Sequence, residues 1–590
     1  MGQTVHHFYG PPLWVDDSHP AGRTKIVFLN LRARLYLAKR QGPTMRTIIF
    51  GKEGFMSPKT VVLVFAFFLF ASFFYFSSAH SQKRVISKEE ASCYQCHEEI
   101  KSLKVQNKHA SLSCAKCHSK LAEHLKDPEK IPETNLELSL CGQCHPSQYE
   151  TLMSVNLKSK AKVEKSTTTS RSPAFDKLMT PHGFTKEHDE PRSHGFMLID
   201  HFLVDRAYGG RFQLKSWRDI AKVGKLWEVV HDTGKELPQT AKAANTVCFS
   251  CKTTDFILKW PYMGDPHPAT DLKRGGNPAA IDMAKKYLQN PMGCIHCHDP
   301  HAAKPRVIKD ALIHAIVDRG EGTYPYDMEK SKKVLMKKIE FQRDGKPFRA
   351  IGILNKPDSN LLCAQCHVEY NCNPGFDPKT GAAITMDDRI ANYFPWVNVF
   401  DIQKRYADVG FKDFRHGITG APLTKLQHPE VETFWGSKHE QAGVECKDCH
   451  MPKVKDKKGK TFTYHGQRSS RYMLKDTCIR CHKYWSHEEA EYHVEAIQNY
   501  TRGKMKKAEY WLGQLIETYT RAKDLGVRED TLKEVWPFHD KAHILWEWWT
   551  AENSDGFHNP QQARESLTQS INASQEGIKL LEKAIEGKRK

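Results

Sequence analysis

The chain has 590 residues, 88 lysines and arginines against 69 aspartates and glutamates, a formal charge of +19, and only 39% hydrophobic residues. So low an apolar content is thin for a self-sufficient core in a chain this long, and the basic excess comes without the basic stretches interleaved with aromatics that would argue for nucleic acid. Seventeen cysteines would be sparse for a disulfide scaffold, but sixteen of them stand in C-x-x-C pairs and only Cys372 is alone.

In chain order, residues 1–55 show no clear hydrophobic periodicity. Residues 56–81, MSPKTVVLVFAFFLFASFFYFSSAHS, set a lysine before an apolar run of about sixteen and small residues near Ala79, the pattern of a secretory signal. A retained membrane anchor is the alternative, for which the run is slightly short. Either way the remainder is expected to be exported. Such signals open a chain, and KEGFM allows a purine-rich codon run just ahead of Met56, so translation is expected to start there, with residues 1–55 an upstream extension. Residues 82–172 hold three C-x-x-C motifs within 93–145, a density that predicts a small domain of loops and short helices; the polar stretch 157–172 reads as a linker or surface loop. Residues 173–484 hold the other five motifs, with inserts long enough to build a pocket. Residues 485–590 then change character. Apolar residues recur at helical intervals over 488–527 without a proline, again over 530–553, and from about Pro560 to Glu586. These long helices are expected to pack and, as a second use, to form a homo-oligomer. No strand-rich segment emerges.

Seven C-x-x-C pairs continue with histidine: Cys93/Cys96 with His97, Cys114/Cys117 with His118, Cys141/Cys144 with His145, Cys294/Cys297 with His298, Cys363/Cys366 with His367, Cys446/Cys449 with His450 and Cys478/Cys481 with His482. C-x-x-C-H is the pattern of covalent c-type haem: the thiols add to the vinyl groups and the histidine becomes the proximal iron ligand. One such pair could equally be a zinc half-site or a redox disulfide; seven with the histidine in place point to haem. Eight haem c groups would bring their own apolar faces, giving a fold class that is mainly α, with a haem-packed core and long C-terminal helices. Residues 1–81 carry nine basic and three acidic side chains, leaving about +13 for the remainder, which the haem propionates would offset.

The fourth pair, Cys248/Cys251 in NTVCFSCKTTD, ends in Lys252. Two histidine ligands saturate an iron and leave it able only to pass electrons. Lysine is an unusual proximal ligand, because its amine must give up a proton, which iron coordination drives. The alternative is a degraded, haem-free motif.

CAQCHVEYNC, KLQHPEVETFWGSKHEQAGVECKDCHMPKV and the C-terminal WEWWTAENSDGFHNPQQA resemble the active-site and haem-ligand segments of the cytochrome c nitrite reductases, which reduce nitrite to ammonium at a lysine-ligated haem. The resemblance spans roughly residues 180–590. The family's common form has five haems, and with three more motifs this chain resembles the octahaem subgroup. The resemblance implies that Lys252 ligates the catalytic haem and that Tyr370 and His428 stand on its distal side. In DEPRSHGFMLID it makes Arg192 the candidate active-site arginine, although serine replaces the family's glycine; an ordinary surface arginine is the alternative. Glu369 and Gln427 are implied as side-chain ligands of a structural calcium, completed by the backbone carbonyls of Tyr370 and Lys425; a simple salt bridge is the alternative for Glu369. Cys372 is implied as a thioether partner of the Tyr370 ring, with a buried free thiol as the alternative. His439, His465 and His558 match distal ligands of core haems, and His194 is a further candidate. For the first three haems His109 and His124 are candidates, but 24 histidines outside the motifs exceed the need, so counting assigns none of them.

Nitrite reduction to ammonium takes six electrons and eight protons while intermediates stay bound. Arg192 would fix the anion, His428 and Tyr370 would deliver protons, and seven further haems would store and pass electrons from a quinol-linked or cytochrome donor. Hydroxylamine or sulphite reduction would be side activities of the same iron. The expected location is periplasmic, membrane-associated if the signal segment is retained. Two other functions compete. A hydroxylamine-oxidising octahaem dehydrogenase also has eight c-haems, but CFSCK speaks against its histidine-ligated catalytic haem. A pure electron conduit requires every iron to be six-coordinate.

Overall fold

In a computed structural model of the chain the described residues are 86–155, 174–181, 194–197, 246–255, 290–327, 334–343, 346–371, 375–385 and 388–589. They all belong to one unit, Arg84–Lys590, with Met1–Lys83 forming another. Residues 1–55, the signal segment 56–81, the stretch 157–172, Arg192 and Cys372 lie outside the described residues.

Helix α1 (His487–Asp524) is 38 residues long, and both its ends are built by local chemistry. The Glu489 amide donates to Ser486 Oγ at 3.1 Å while the Ser486 amide donates to Glu489 Oε2 at 2.7 Å, a capping box that satisfies two amides otherwise left without partners. At the other end Gly526 takes φ +73, its amide donates to Lys523 O at 2.9 Å and that of Val527 to Ala522 O at 3.0 Å, which closes the helix in a Schellman turn. Helix α2 (Trp536–Ala551) admits Pro537 in its first turn, where no helical amide is needed, and α3 (Pro560–Arg589) likewise begins on proline. The apolar stripes of the three meet in one cluster, with Leu512, Leu515 and Ile516 of α1, Trp546 and Trp549 of α2, and Leu567, Ile571 and Leu581 of α3.

The other face of α2 grips the segment 412–426. Asp540 binds Lys412 Nζ at 2.5 Å, His539 Nδ1 stands 3.0 Å from Thr419 Oγ1, and Glu547 Oε1 accepts the Leu426 amide at 3.2 Å and the Lys425 ammonium at 3.0 Å. Residues 540 and 547 share this face because they are two helical turns apart. Trp548 adds a hydrogen bond from Nε1 to Thr433 Oγ1 at 2.7 Å, so the helix fixes the chain on both sides of His428.

The described residues also contain a four-stranded antiparallel sheet that the sequence reading missed. Strands β1 (His298–Asp299), β2 (Lys304–Val307), β3 (Met336–Arg343) and β4 (Lys346–Leu354) run in the order β1-β2-β4-β3. Two of the strands are short, and in β3 Lys338 and Glu340 alternate with Ile339 and Phe341, so only one half-covered face is apolar. That face packs with Leu103, Ala302, Ile308, Ile351 and Ile353. The fold is nevertheless mainly α, as expected.

The region of the first three motifs consists of short helices: Lys88–Cys96, Glu98–Lys104, Leu121–Lys126, Leu138–Gly142 and Pro146–Leu152. Its buried apolar side chains are Tyr94, Leu103 and Leu152, joined by a buried ion pair of Glu90 and Lys104 at 2.6 Å. Polar contacts tie it to the rest, with Arg468 donating to Ser154 Oγ at 2.8 Å and the His465 amide to Thr151 Oγ1 at 3.1 Å. Among the described residues no helix is long and apolar enough to cross a membrane.

Candidate active site

An imidazole nitrogen sits about 2 Å from a metal it ligates, and the ring centre lies about 1 Å behind it, so two rings on opposite sides of one iron stand about 6 Å apart. All seven motif histidines have a second histidine at that spacing. His97 faces His124 at 6.1 Å between ring centres, His145 faces His109 at 6.2 Å and His118 faces His301 at 6.3 Å. His298 faces His465 at 6.4 Å, His367 faces His194 at 6.3 Å, His450 faces His558 at 6.3 Å and His482 faces His439 at 6.4 Å. Spacing alone is not diagnostic, since His539 and His543 on α2 are also 6.4 Å apart. What marks the seven pairs is that one member of each directly follows a C-x-x-C. The residues therefore fit haem: thiols for attachment and two imidazoles for the metal.

Six of the seven partner histidines are those singled out in the sequence. The one missed is His301, three residues after His298 but facing His118. Its pairing spans 183 residues of sequence and leaves no local signal. His558, by contrast, is placed by its own turn. Asp555 and Gly556 take φ +53 and +84, and a Cβ at Gly556 would collide with the Thr501 side chain, so glycine is required before this histidine.

Seven of the fourteen rings are oriented through Nδ1. His109 lies 2.7 Å from Pro300 O, His118 3.0 Å from Thr134 Oγ1, His124 3.0 Å from Lys130 O and His465 2.7 Å from Thr463 O. His367 lies 3.3 Å from Glu430 Oε2, His450 2.9 Å from Arg468 O and His558 2.7 Å from Glu552 Oε1. Such outer bonds fix ring plane and tautomer in metal-ligating histidines.

Neighbouring motifs meet through their thiols. Cys93 lies beside Cys114, Cys141 beside Cys294, Cys363 beside Cys446 and Cys251 beside Cys366. Spatial order thus departs from chain order: the third motif adjoins the fifth, and the fourth adjoins the sixth.

In three motifs the second cysteine sits at the end of a helical turn: Cys96 and Cys481 end Lys88–Cys96 and Cys478–Cys481, and Cys144 follows Leu138–Gly142. In each case the next residue leaves helical backbone, His97 at φ −117 and ψ 64, His145 at φ −120 and ψ 56, and His482 at φ −89 and ψ 66, so the chain changes direction directly after the thiol. A thioether needs a thiol that the vinyl group can reach.

The fourth motif forms a tight helical turn over Thr246–Cys251, followed by Lys252, whose amide donates to Phe249 O at 3.0 Å and whose carbonyl accepts from Met292 at 2.9 Å. The Cys248 side chain lies outside the described residues. Asp255 clamps Asn290 through its amide at 2.6 Å and its side chain at 3.1 Å, which ties this motif to the fifth. A buried cation not singled out in the sequence, Lys309, donates to Ser250 Oγ at 2.5 Å and reaches Cys251 Sγ at 3.4 Å.

Tyr370 and His428 come together, with ring centres 6.4 Å apart and planes 28° from parallel; Phe394 packs on the tyrosine at 5.9 Å. The loss of water around His428 pulls its pKa down to about 4, with Glu430 opposing and the charges of His367 and Lys252 adding to the shift. It is therefore neutral at pH 7.

Glu369 is fully buried, and burial pushes its pKa up to about 8. Its oxygens accept the Gln427 amide at 2.6 Å and the Tyr406 hydroxyl at 2.7 Å, and its own amide donates to Glu432 Oε1 at 3.0 Å. Burial likewise raises Glu432, whose Oε2 has no hydrogen-bond partner among the described residues. Two buried carboxylates so close call for positive charge. The Lys425 ammonium is committed to Glu547, so its carbonyl is what remains for a cation. With Glu369, the Gln427 side chain and the carbonyls of Tyr370 and Lys425, the donor set would be one carboxylate, one amide and two backbone carbonyls. These oxygens suit calcium.

Paired imidazoles at ligand spacing behind C-x-x-C motifs define a multihaem c-type cytochrome. The chain belongs to the Cytochrome c552 family, whose profile matches residues 226–588. It is 28% identical over 393 residues to cytochrome c-552 of Parabacteroides distasonis, covering 66% of this chain and 64% of the relative. It is also 28% identical over 350 residues to cytochrome c-552 of Bacteroides thetaiotaomicron, covering 58% and 59%. The alignments thus span less than two thirds of the length of either relative. The cytochrome c nitrite reductase of Desulfovibrio desulfuricans, whose catalytic subunit has two calcium sites, shares the fold with a TM-score of 0.52 and 23% identity, over 77% of this chain and 87% of that one.

Proposed function

We propose that this chain is an exported octahaem nitrite reductase that carries nitrite to ammonium at a haem ligated by Lys252. The reading rests on a contrast: seven motifs end in a histidine that faces a second ring at ligand spacing, and one ends in Lys252, within electrostatic reach of His428. The haem at that motif, when bound, supplies the substrate-binding iron and the electrons. Lys252 donates a neutral amine to it. Arg192, assigned by resemblance, holds the anion's oxygens. His428, neutral at rest, offers the substrate a hydrogen bond and takes up a proton as negative charge arrives, then passes it on as N–O bonds break. Tyr370 donates the second hydrogen bond, with its ring plane fixed by Phe394 and, in this proposal, by a thioether to Cys372. Glu369, Gln427 and the carbonyls of Tyr370 and Lys425 would hold calcium, which would supply positive charge behind this wall. The seven C-x-x-C-H motifs would hold the haems that pass electrons from a quinol-linked or cytochrome donor.

The test supplies reduced viologen and isotope-labelled nitrite to the holoprotein and follows labelled ammonium. Lys252→His should retain full haem loading and lose roughly a hundredfold in rate, and His428→Asn a similar factor. Unchanged turnover in Lys252→His would overturn the role given to the lysine. Absence of labelled ammonium from the wild-type holoprotein would overturn the activity.

A further inference from the structure

The pair His439–His482 differs from the other six. In each of those at least one ring has an Nδ1 contact to a protein oxygen, whereas neither His439 nor His482 has a ring-nitrogen hydrogen bond among the described residues. Aromatic faces take that place. Trp485 lies on His482 at 3.9 Å between ring centres and 5° from parallel, and His493 lies on the far face of the column, 4.3 Å from Trp485 and tilted by 26°. On the opposite side Phe557 stacks on His439 at 6.3 Å and 30°. The two histidine planes are 87° apart.

The column follows from the start of α1. The Trp485 amide donates to His482 O at 3.0 Å, which turns the indole back over the imidazole three residues earlier. Trp485 directly precedes Ser486, the N-cap of the capping box, and His493 is two helical turns into α1, on the same side. A residue in front of a capping box normally staples onto the first turn of the helix; here it is held between a motif histidine and the second turn.

Ring planes matter to a low-spin ferric iron. Parallel imidazoles split the two iron orbitals that overlap their π systems, and this split lowers the energy of the ferric state. Perpendicular imidazoles leave those orbitals nearly level, which raises the reduction potential and gives a strongly anisotropic electron paramagnetic resonance signal with a large gmax. We propose that Trp485 is a positioning residue that clamps the plane of His482 perpendicular to His439 and thereby sets the potential of the eighth haem above that of a relaxed pair. This rests on the reading that His439 and His482 share one iron.

Two pairs are close to perpendicular, His439–His482 at 87° and His450–His558 at 76°, and the second is held by hydrogen bonds from both rings. Oxidised wild-type holoprotein should accordingly show large-gmax signals from two haems. In Trp485→Leu one of them should move to lower gmax and one low-spin haem should titrate at lower potential, with the remaining signals unchanged. Trp485→Phe should shift in the same direction by less, and His493→Leu, which leaves the indole in place without its backing, by less again; these two carry the test if the leucine variant does not load haem. His439→Ala checks the underlying reading, since it should convert one low-spin haem to high spin. If that conversion occurs and the spectra and titrations of the Trp485 variants superimpose on wild type, the clamp is wrong and the pairing stands. If His439→Ala yields no high-spin haem, the pairing itself is wrong and the clamp falls with it.

Discussion

Residues 86–155 and residues 487–589 solve the problem of folding in opposite ways. The first carries three haem motifs on five short helices with Tyr94, Leu103 and Leu152 as its buried apolar side chains, and the second closes three long helices over a continuous cluster that includes Trp546, Trp548 and Trp549. Short helices without a shared apolar face are marginal in water. The difference teaches that one end of the chain makes its own core while the other has too few apolar side chains to do so, a shortfall that haem at its three motifs would fill.

Removing the prosthetic group from one end should break this contrast most sharply. With Cys114 and Cys117 both replaced by alanine, residues 86–155 should be digested by a low dose of protease about tenfold faster or more, while a C-terminal fragment persists, as mass spectrometry would show. A C-terminal fragment lost at the same rate would mean the two ends fold as one. Next in size, Trp549→Ala should destabilise the helices by about 3–5 kcal/mol, because the indole is fully buried and its Nε1 hydrogen bond to Ser566 Oγ at 2.7 Å goes with it. Far-ultraviolet circular dichroism in denaturant would measure this, with the haem bands of the N-terminal region responding less.

A pH scan sharpens the same comparison. Burial holds His416 down to about 4 and keeps His539 well below the ordinary imidazole range. Below pH 6.5 the unfolded chain binds protons that the native histidines refuse, so stability is present above about 6.5 and is lost as pH falls towards 4. His416 alone should account for roughly 3 kcal/mol over that window, and His416→Asn should flatten the curve. A smaller effect, about 1 kcal/mol, is expected for Ser486→Ala, which removes the capping hydroxyl of α1. The smallest is expected for Arg521→Ala, whose exposed partner Glu582 joins α1 to α3: no more than about 0.5 kcal/mol, and less in high salt.

How much of this could be read in advance depended on the range of the interaction. The three C-terminal helices were legible within a few residues because their apolar spacing, prolines and caps are local. The haem motifs were legible because attachment requires a fixed spacing, but the break in helical backbone directly after Cys144 and Cys481 was not. His439, His465 and His558 stood out because they sit in segments with a recognisable pattern, and each faces a motif histidine. His301 did not, because its partner is set by how β1 and β2 carry it against the first three motifs. The sheet was missed because its strands are short and apolar on one face only. Lys309 was invisible because a lysine in VIKDAL gives no sign that it will be buried against Ser250.

Glu547 carries the last consequence. By holding the Lys425 ammonium and the Leu426 amide from a helix more than a hundred residues downstream, it makes the end of the chain a wall of the candidate site. Truncation ahead of residue 536 would release that lysine towards Glu369, where its charge would compete with any cation for the same carboxylate. The tail is thus as much a part of that site as the motifs it follows.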